Sequence, residues 1–262
     1  MPQHRPGRRT RRRTPHLAAG AAVLAAVAAL AGTTGAAPHP DGPAAAAVPT
    51  ALAATPVLRL TFDEQVSWRS GSVVLDGAGS ARGTVVGRGT LTSVGGGSGR
   101  GVRYPCATCG RVVVEVPDDP ALDPGTGDLE VAVDVRMTRE ESRRTMNVVQ
   151  KGYSNETGGQ YKLQVDYGRP SCVIRSSRGR VLVEATSTTA DVADGAWHHV
   201  ACVRTASHVS VLVDGVVRAR RAAVAGVLAN AAPLRIGGKN ATSASNDQYR
   251  AELDEVTIRI GG

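Results

Sequence analysis

From Val57 onward, apolar and polar positions alternate with period two in short runs bounded by Gly, Pro, Asn and Asp, a pattern that predicts β-strands. The runs are Val57 to Phe62, Arg111 to Val116, Asp128 to Met137, Met146 to Lys151, Gln160 to Asp166, Ser171 to Arg175, Arg180 to Thr186, Trp197 to Arg204, His208 to Val213, Pro233 to Gly237 and Tyr249 to Ile260. Beyond residues 1–37, no window of about eleven residues carries a helical stripe. In Val211-Leu-Val-Asp-Gly-Val-Val217, Asp-Gly between apolar residues predicts a two-residue type I′ hairpin, because both central positions need positive φ. Strands at this spacing predict an all-β fold: two antiparallel sheets packed face to face as a jelly-roll sandwich, in one domain over residues 56–262.

The first 55 residues follow another pattern. Arginines are followed by the apolar run Leu17 to Ala31 and the small residues Gly32 to Ala37, the three-part layout of a secretory signal peptide over residues 1–37. Fifteen apolar residues span about 22 Å as a helix at ~1.5 Å per residue, short of the ~30 Å hydrocarbon core. The expected protein is therefore secreted, without stable membrane insertion once the leader is removed. Residues 38–55, rich in Ala and Pro with almost no charge, read as a linker.

The leader also changes the meaning of the charge. The chain has 31 Lys plus Arg against 23 Asp plus Glu, a net +8, but residues 1–37 hold six arginines and no acid. The remainder is close to neutral, which removes the electrostatic case for a nucleic acid partner.

Several segments, taken in order, resemble the laminin G-like domains of the concanavalin A-like lectin and glucanase superfamily. They include Leu58-Arg-Leu-Thr-Phe-Asp-Glu64, Val114-Glu-Val-Pro-Asp-Asp-Pro-Ala-Leu-Asp-Pro-Gly125, Val148-Val-Gln-Lys-Gly152 and Gly159-Gln-Tyr-Lys-Leu-Gln-Val165. Asp194-Gly-Ala-Trp-His-His-Val200, Leu234-Arg-Ile-Gly-Gly238 and Leu253-Asp-Glu-Val-Thr-Ile258 complete the order. The resemblance implies a concanavalin A-like sandwich, a fold that hosts lectins, adhesion modules, glycosidases and lyases. Trp197 is expected as an apolar plug in the core, while His198 and His199 fall on opposite faces of a strand and cannot clasp one metal together.

Cys106, Cys109, Cys172 and Cys202 are an even set in an exported chain, so two disulfides are expected, with three connectivities available. A strand-like run follows Cys109 where a thioredoxin-type pair needs a helix, and Cys172 and Cys202 are too far apart for a zinc knuckle. The preferred pairing is Cys106 with Cys109 and Cys172 with Cys202.

Glu252-Leu-Asp-Glu-Val-Thr257 resembles the Glu-x-Asp-x-x-Glu strand of laminarinase-type glycosidases, in which the first Glu attacks the sugar and the last donates a proton. Thr257 stands where the last Glu belongs, and a threonine cannot be a general acid at neutral pH. Asp118, Asp119 and Asp123, among prolines, read as turn-capping acids. The resemblance also implies a structural calcium near the first and last strands, with Asp63, Glu64, Asp254 and Glu255 as candidate ligands; surface acids holding no ion are the alternative.

Sugar sites commonly stack on exposed aromatics. With Phe62 and Trp197 assigned to the core, Trp68, Tyr104, Tyr153, Tyr161, Tyr167 and Tyr249 remain. Tyr153, Tyr161 and Tyr249 are the candidate platforms, with Asn246 in the polar loop Lys239 to Tyr249 as a hydrogen-bonding partner. The expected function is a non-enzymatic lectin-like module for an extracellular glycan or protein; the alternative is a glycoside hydrolase or polysaccharide lyase.

Overall fold

The computed structural model describes residues 52–79, 81–177, 182–223 and 226–261. The expected signal peptide at 1–37 and most of the linker at 38–55 lie outside the described residues. The Leu52 amide donates to Glu130 Oε2 at 3.0 Å.

Seventeen strands are described. In chain order they are β1 (Pro56–Leu60), β2 (Ser67–Trp68), β3 (Val73–Leu75), β4 (Arg82–Gly87), β5 (Leu91–Gly95), β6 (Arg100–Arg103), β7 (Val112–Val116), β8 (Asp128–Arg136) and β9 (Thr145–Lys151). There follow β10 (Gln160–Asp166), β11 (Arg169–Arg175), β12 (Leu182–Thr186), β13 (Trp197–Arg204), β14 (His208–Val213), β15 (Val216–Ala222), β16 (Leu234–Ile236) and β17 (Glu252–Gly261). One 3-10 turn, Pro120–Leu122, is capped by Asp119, whose carboxylate accepts from the Ala121 amide.

Two sheets form the sandwich. One runs β15-β14-β13-β8-β17-β6-β5-β2, with β1 also on β17; the other runs β12-β11-β10-β9-β16-β7-β4-β3, and every pairing is antiparallel. Alternation explains the layering. Leu129, Val131, Val133 and Val135 of β8 enter the core with Tyr161, Leu163 and Val165 of β10, leaving their neighbours on the outer faces. Asp214 and Gly215 have φ of 53° and 75°, the pair of positive values a type I′ turn between β14 and β15 requires.

Both cysteine pairs are bonded as expected. Cys106–Cys109 closes a four-residue loop, and Cys172–Cys202 ties β11 of one sheet to β13 of the other.

The tryptophans reverse their expected roles. Trp68 is fully buried against Phe62 with ring centroids 6.0 Å apart, whereas Trp197 is half-buried with the Arg136 guanidinium 5.0 Å from its ring centre. The reason is parity: Val200 and Cys202 take the inward positions of β13, so Trp197, an odd number of residues from Val200, points outward.

Lys151 ends β9 on the core side with no exposed side-chain surface. Its ammonium donates to Asp118 at 2.7 Å, to Asp123 at 2.9 Å and to the Asn230 carbonyl. Asp118 and Asp123 are therefore more than turn formers: they hold the 116–125 segment and the 230 loop against β9.

Candidate functional site

The outer face of the eight-stranded sheet carries the densest set of unsatisfied polar atoms. Because Tyr161, Leu163 and Val165 point inward, Gln160, Lys162, Gln164 and Asp166 of β10 point outward. Register places Gln164 opposite Asn147 of β9 on one side and Ser171 of β11 on the other. Parallel to that row, Lys162 lies opposite Gln150 and Val173, and Gln150 opposite Arg235.

In the first row, Asn147, Gln164 and Ser171 are 0%, 5% and 0% exposed, and Asn147 Oδ1, Gln164 Oε1 and Ser171 Oγ have no hydrogen-bond partner among the described residues. Their other polar groups are fixed: Asn147 Nδ2 donates to Gln150 Oε1 at 2.5 Å, and Gln164 Nε2 to Asp166 Oδ2 at 2.7 Å. A buried acceptor left unpaired costs about 1–3 kcal/mol, so three in one cross-strand row call for hydroxyl donors from water or a ligand.

Beside the row, the half-buried Lys162 ammonium has no partner among the described residues. Burial, reinforced by Lys239, lowers its pKa, against the pull of Asp166, Asp247 and Glu184. Burial also raises the Asp166 pKa. The Lys239–Asp247 ion pair borders this patch.

At the far end, a groove of about 440 Å³ is lined by Tyr153, Asn230, Pro233 and Arg235. Tyr153 donates to the Lys239 carbonyl at 2.6 Å and accepts from Arg235 at 3.0 Å, and Arg235 also pairs with Glu115 at 2.8 Å.

Of the residues expected to bind ligand, Tyr153 alone reaches this surface. Tyr161 is 1% exposed and donates to the Leu122 carbonyl; Tyr249 is fully buried, donates to the Glu252 carbonyl and packs edge-on to Tyr104. Neither ring can stack a sugar. Asn246 is also buried, donating to the Asn240 carbonyl and to Gln248, so it closes its own loop. Among the remaining aromatics Tyr167 is 64% exposed, at the β10–β11 turn.

The four acids proposed for calcium do not converge. Asp63 accepts from the Arg100 amide, Glu64 from the Leu75 amide, and Glu255 is taken by Arg59. Asp254 accepts from the Ser98 and Glu255 amides. Calcium takes about six to eight oxygens, yet no group of three or more His, Cys, Asp or Glu among the described residues is arranged to hold a metal. Each of the four acids instead accepts from a backbone N–H group or an arginine.

On β17, Glu252 is 3% exposed and both of its oxygens are engaged, one by Arg103 at 2.7 Å and the other by Arg136. His198 binds Asp214 and Asp194, and His199 binds Asp134, on opposite faces as expected. Sequence reasoning missed the Asn147–Gln164–Ser171 row, although outward polar residues alternating with a buried Tyr-x-Leu-x-Val run were a readable signal.

The laminin G-like family model described as the concanavalin A-like lectin/glucanases superfamily matches residues 112–259. The chain belongs to this superfamily. No curated protein matches the sequence. Among solved structures, this superfamily member is similar to the binding domain of Paraclostridial Mosquitocidal Protein 1, at 12% identity and TM-score 0.59 over 78% of this chain and 48% of that one. It is also similar to domain 4 of AbnA, an extracellular GH43 arabinanase from Geobacillus stearothermophilus solved in complex with arabinotriose. The figures there are 18% identity and TM-score 0.57 over 79% and 93% of the two chains. A third is the botulinum neurotoxin serotype D ligand binding domain in complex with N-acetylneuraminic acid, at 10% identity and TM-score 0.51 over 78% and 47%. The chain spans about half the length of these toxin domains.

Proposed function

We propose that the protein is an extracellular binding module that takes a glycan, without turning it over, on the outer face of the eight-stranded sheet. The carrying observation is the groove of about 440 Å³ that the partly exposed Tyr153 and Arg235 line at this face, with the half-buried Lys162 across β9; the nearly buried Asn147, Gln164 and Ser171 back the face with polar atoms left unpaired among the described residues. Flanking Lys162, Tyr153 and Arg235 supply charge and one aromatic edge. The resemblance of the fold to domains solved with arabinotriose and N-acetylneuraminic acid supports this reading. Export is supported by the leader-like residues 1–37 and by two disulfides, which persist in oxidising compartments. No helix among the described residues is long and apolar enough to cross a membrane.

Against hydrolysis, Glu252 is locked by two arginines and Thr257 replaces the second carboxylate. The test is binding of the full chain to an oligosaccharide array, followed by assay of reducing-sugar release. Binding without release, lost in Gln164→Leu, is expected. Release abolished by Glu252→Gln would overturn the reading.

A further inference from the structure

Beside the Cys106–Cys109 disulfide lies a cavity of about 280 Å³, whose charged lining is Arg103, Glu140, Glu141, Arg144 and Arg250, with Cys106 at its wall. Three arginines line it against two glutamates. Arg103 is neutralised by Glu141 and Glu252, each at 2.7 Å, and Glu140, which also lines the cavity, pairs with Arg143 at 3.4 Å. Arg144 forms no side-chain hydrogen bond or ion pair among the described residues, and neither does the neighbouring Arg111. Arg250 donates through Nη1 to the Cys106 carbonyl at 2.6 Å, but its Nε is buried without a partner. Burial lowers the Arg250 pKa, and the charges of Arg144 and Arg111 lower it further, so these guanidiniums act on one another, and none of the three forms an ion pair among the described residues.

Arg144 and Arg250, brought into one cavity and left without an ion pair although Glu140 and Glu141 also line it, are charges that an incoming anion would neutralise. Guanidinium groups pair planar or tetrahedral oxyanions through two parallel N–H donors, and Arg250 keeps one such donor unused. The rest of the lining is Tyr104, Cys106 and Ala107, and the exposed Tyr167 donates its amide to the Arg144 carbonyl at 3.3 Å.

We propose that this cavity binds an oxyanion group, a carboxylate, sulfate ester or phosphate, carried on a sugar ring that lies against the apolar wall. The site is separate from the Asn147–Gln164–Ser171 row and does not depend on that row binding a glycan.

The test is isothermal titration of the full disulfide-bonded chain with oligogalacturonate, dextran sulfate and neutral dextran, and separately with inorganic sulfate and phosphate. At least one polyanion should bind more tightly than neutral dextran. Its affinity should fall at least tenfold in both Arg144→Gln and Arg250→Gln and stay unchanged in Arg218→Gln/Arg221→Gln, which alters exposed basic residues on β15. Arg144 is exposed, so its variant leaves the fold intact even if the Arg250 variant does not. Inorganic sulfate or phosphate binding as tightly as the polymers would support the oxyanion site and assign it to the free ion. Wild-type affinity in Arg144→Gln, equal loss in the β15 variant, or no preference over neutral dextran would each overturn the proposal. Gln164→Leu should leave polyanion binding through this cavity intact, which separates its failure from failure of the sheet-face site.

Discussion

Replacing Lys151 by Met should destabilise the protein by about 3 kcal/mol, toward the lower end of the cost of breaking a buried ion pair. Methionine keeps most of the buried stem volume, so little of the loss comes from packing. What goes is the charge: the Lys151 side chain is 0% exposed and its ammonium touches two carboxylates and the Asn230 carbonyl. Asp118 and Asp123 retain 36% and 19% side-chain exposure, so water partly relieves their mutual repulsion, which is why the upper end of the range is not reached. For a domain of this size about 3 kcal/mol corresponds to a Tm drop of roughly 6 to 12 °C. Urea unfolding of wild type, Lys151→Met, Asp118→Asn/Asp123→Asn and the combined variant gives the coupling directly. A loss below about 1 kcal/mol, or a combined variant whose loss equals the sum of the parts, would refute the claim that this cluster ties the 230 loop and its groove to β9.

Two further predictions concern stability. Burial pushes the Asp254 carboxyl up to about 6, with Glu255 and Asp134 adding to the effect. A folded value above the unfolded one means that the native state binds the extra proton, so stability present at low pH is lost as pH rises through about 6, by roughly 2–3 kcal/mol at full effect. His198 and His199 act in the same direction: burial opposes protonation of His198 but its hydrogen bonds to Asp214 and Asp194 raise it, and the hydrogen bond to Asp134 raises His199 against the effect of burial. Their contribution is present below the unfolded histidine value and lost above the folded one. Tm should therefore be higher at pH 5 than at pH 8, with the difference reduced in Asp254→Asn; an unchanged difference would exclude Asp254 as its source. Replacing Cys172 and Cys202 by Ser should cost about 3–4 kcal/mol from the roughly 30-residue loop they close, read by denaturant unfolding, and a cost below about 1 kcal/mol would contradict a constraining role.

Much of the sandwich was legible because strands buried on one face show period two: β10 and β13 have the boundaries the alternation predicts, and β8 and β9 differ by one residue. Strands β2 to β6 escaped because they are two to six residues long, too short to display a period, and β4 to β6 also contain glycine. Strand β15, Val-Val-Arg-Ala-Arg-Arg-Ala, hid because arginine fills its outer positions and alanine offers little contrast. For the site, parity within β10 already sent Tyr161 inward with Leu163 and Val165 and Gln164 outward. The fates of Tyr249 and Asn246 depend on how the loop after Gly238 folds back, and the Arg111–Arg144–Arg250 cluster joins positions that only the folded chain brings together.

The most direct test of the glycan-binding account is chemical-shift mapping of the 15N-labelled chain with oligosaccharides that bind on an array. The side-chain amides of Asn147, Gln150 and Gln164 and the backbone amides of β9 to β11 should shift together and saturably. Shifts confined to the Glu252 face of the other sheet, or an array on which no glycan binds, would contradict the account.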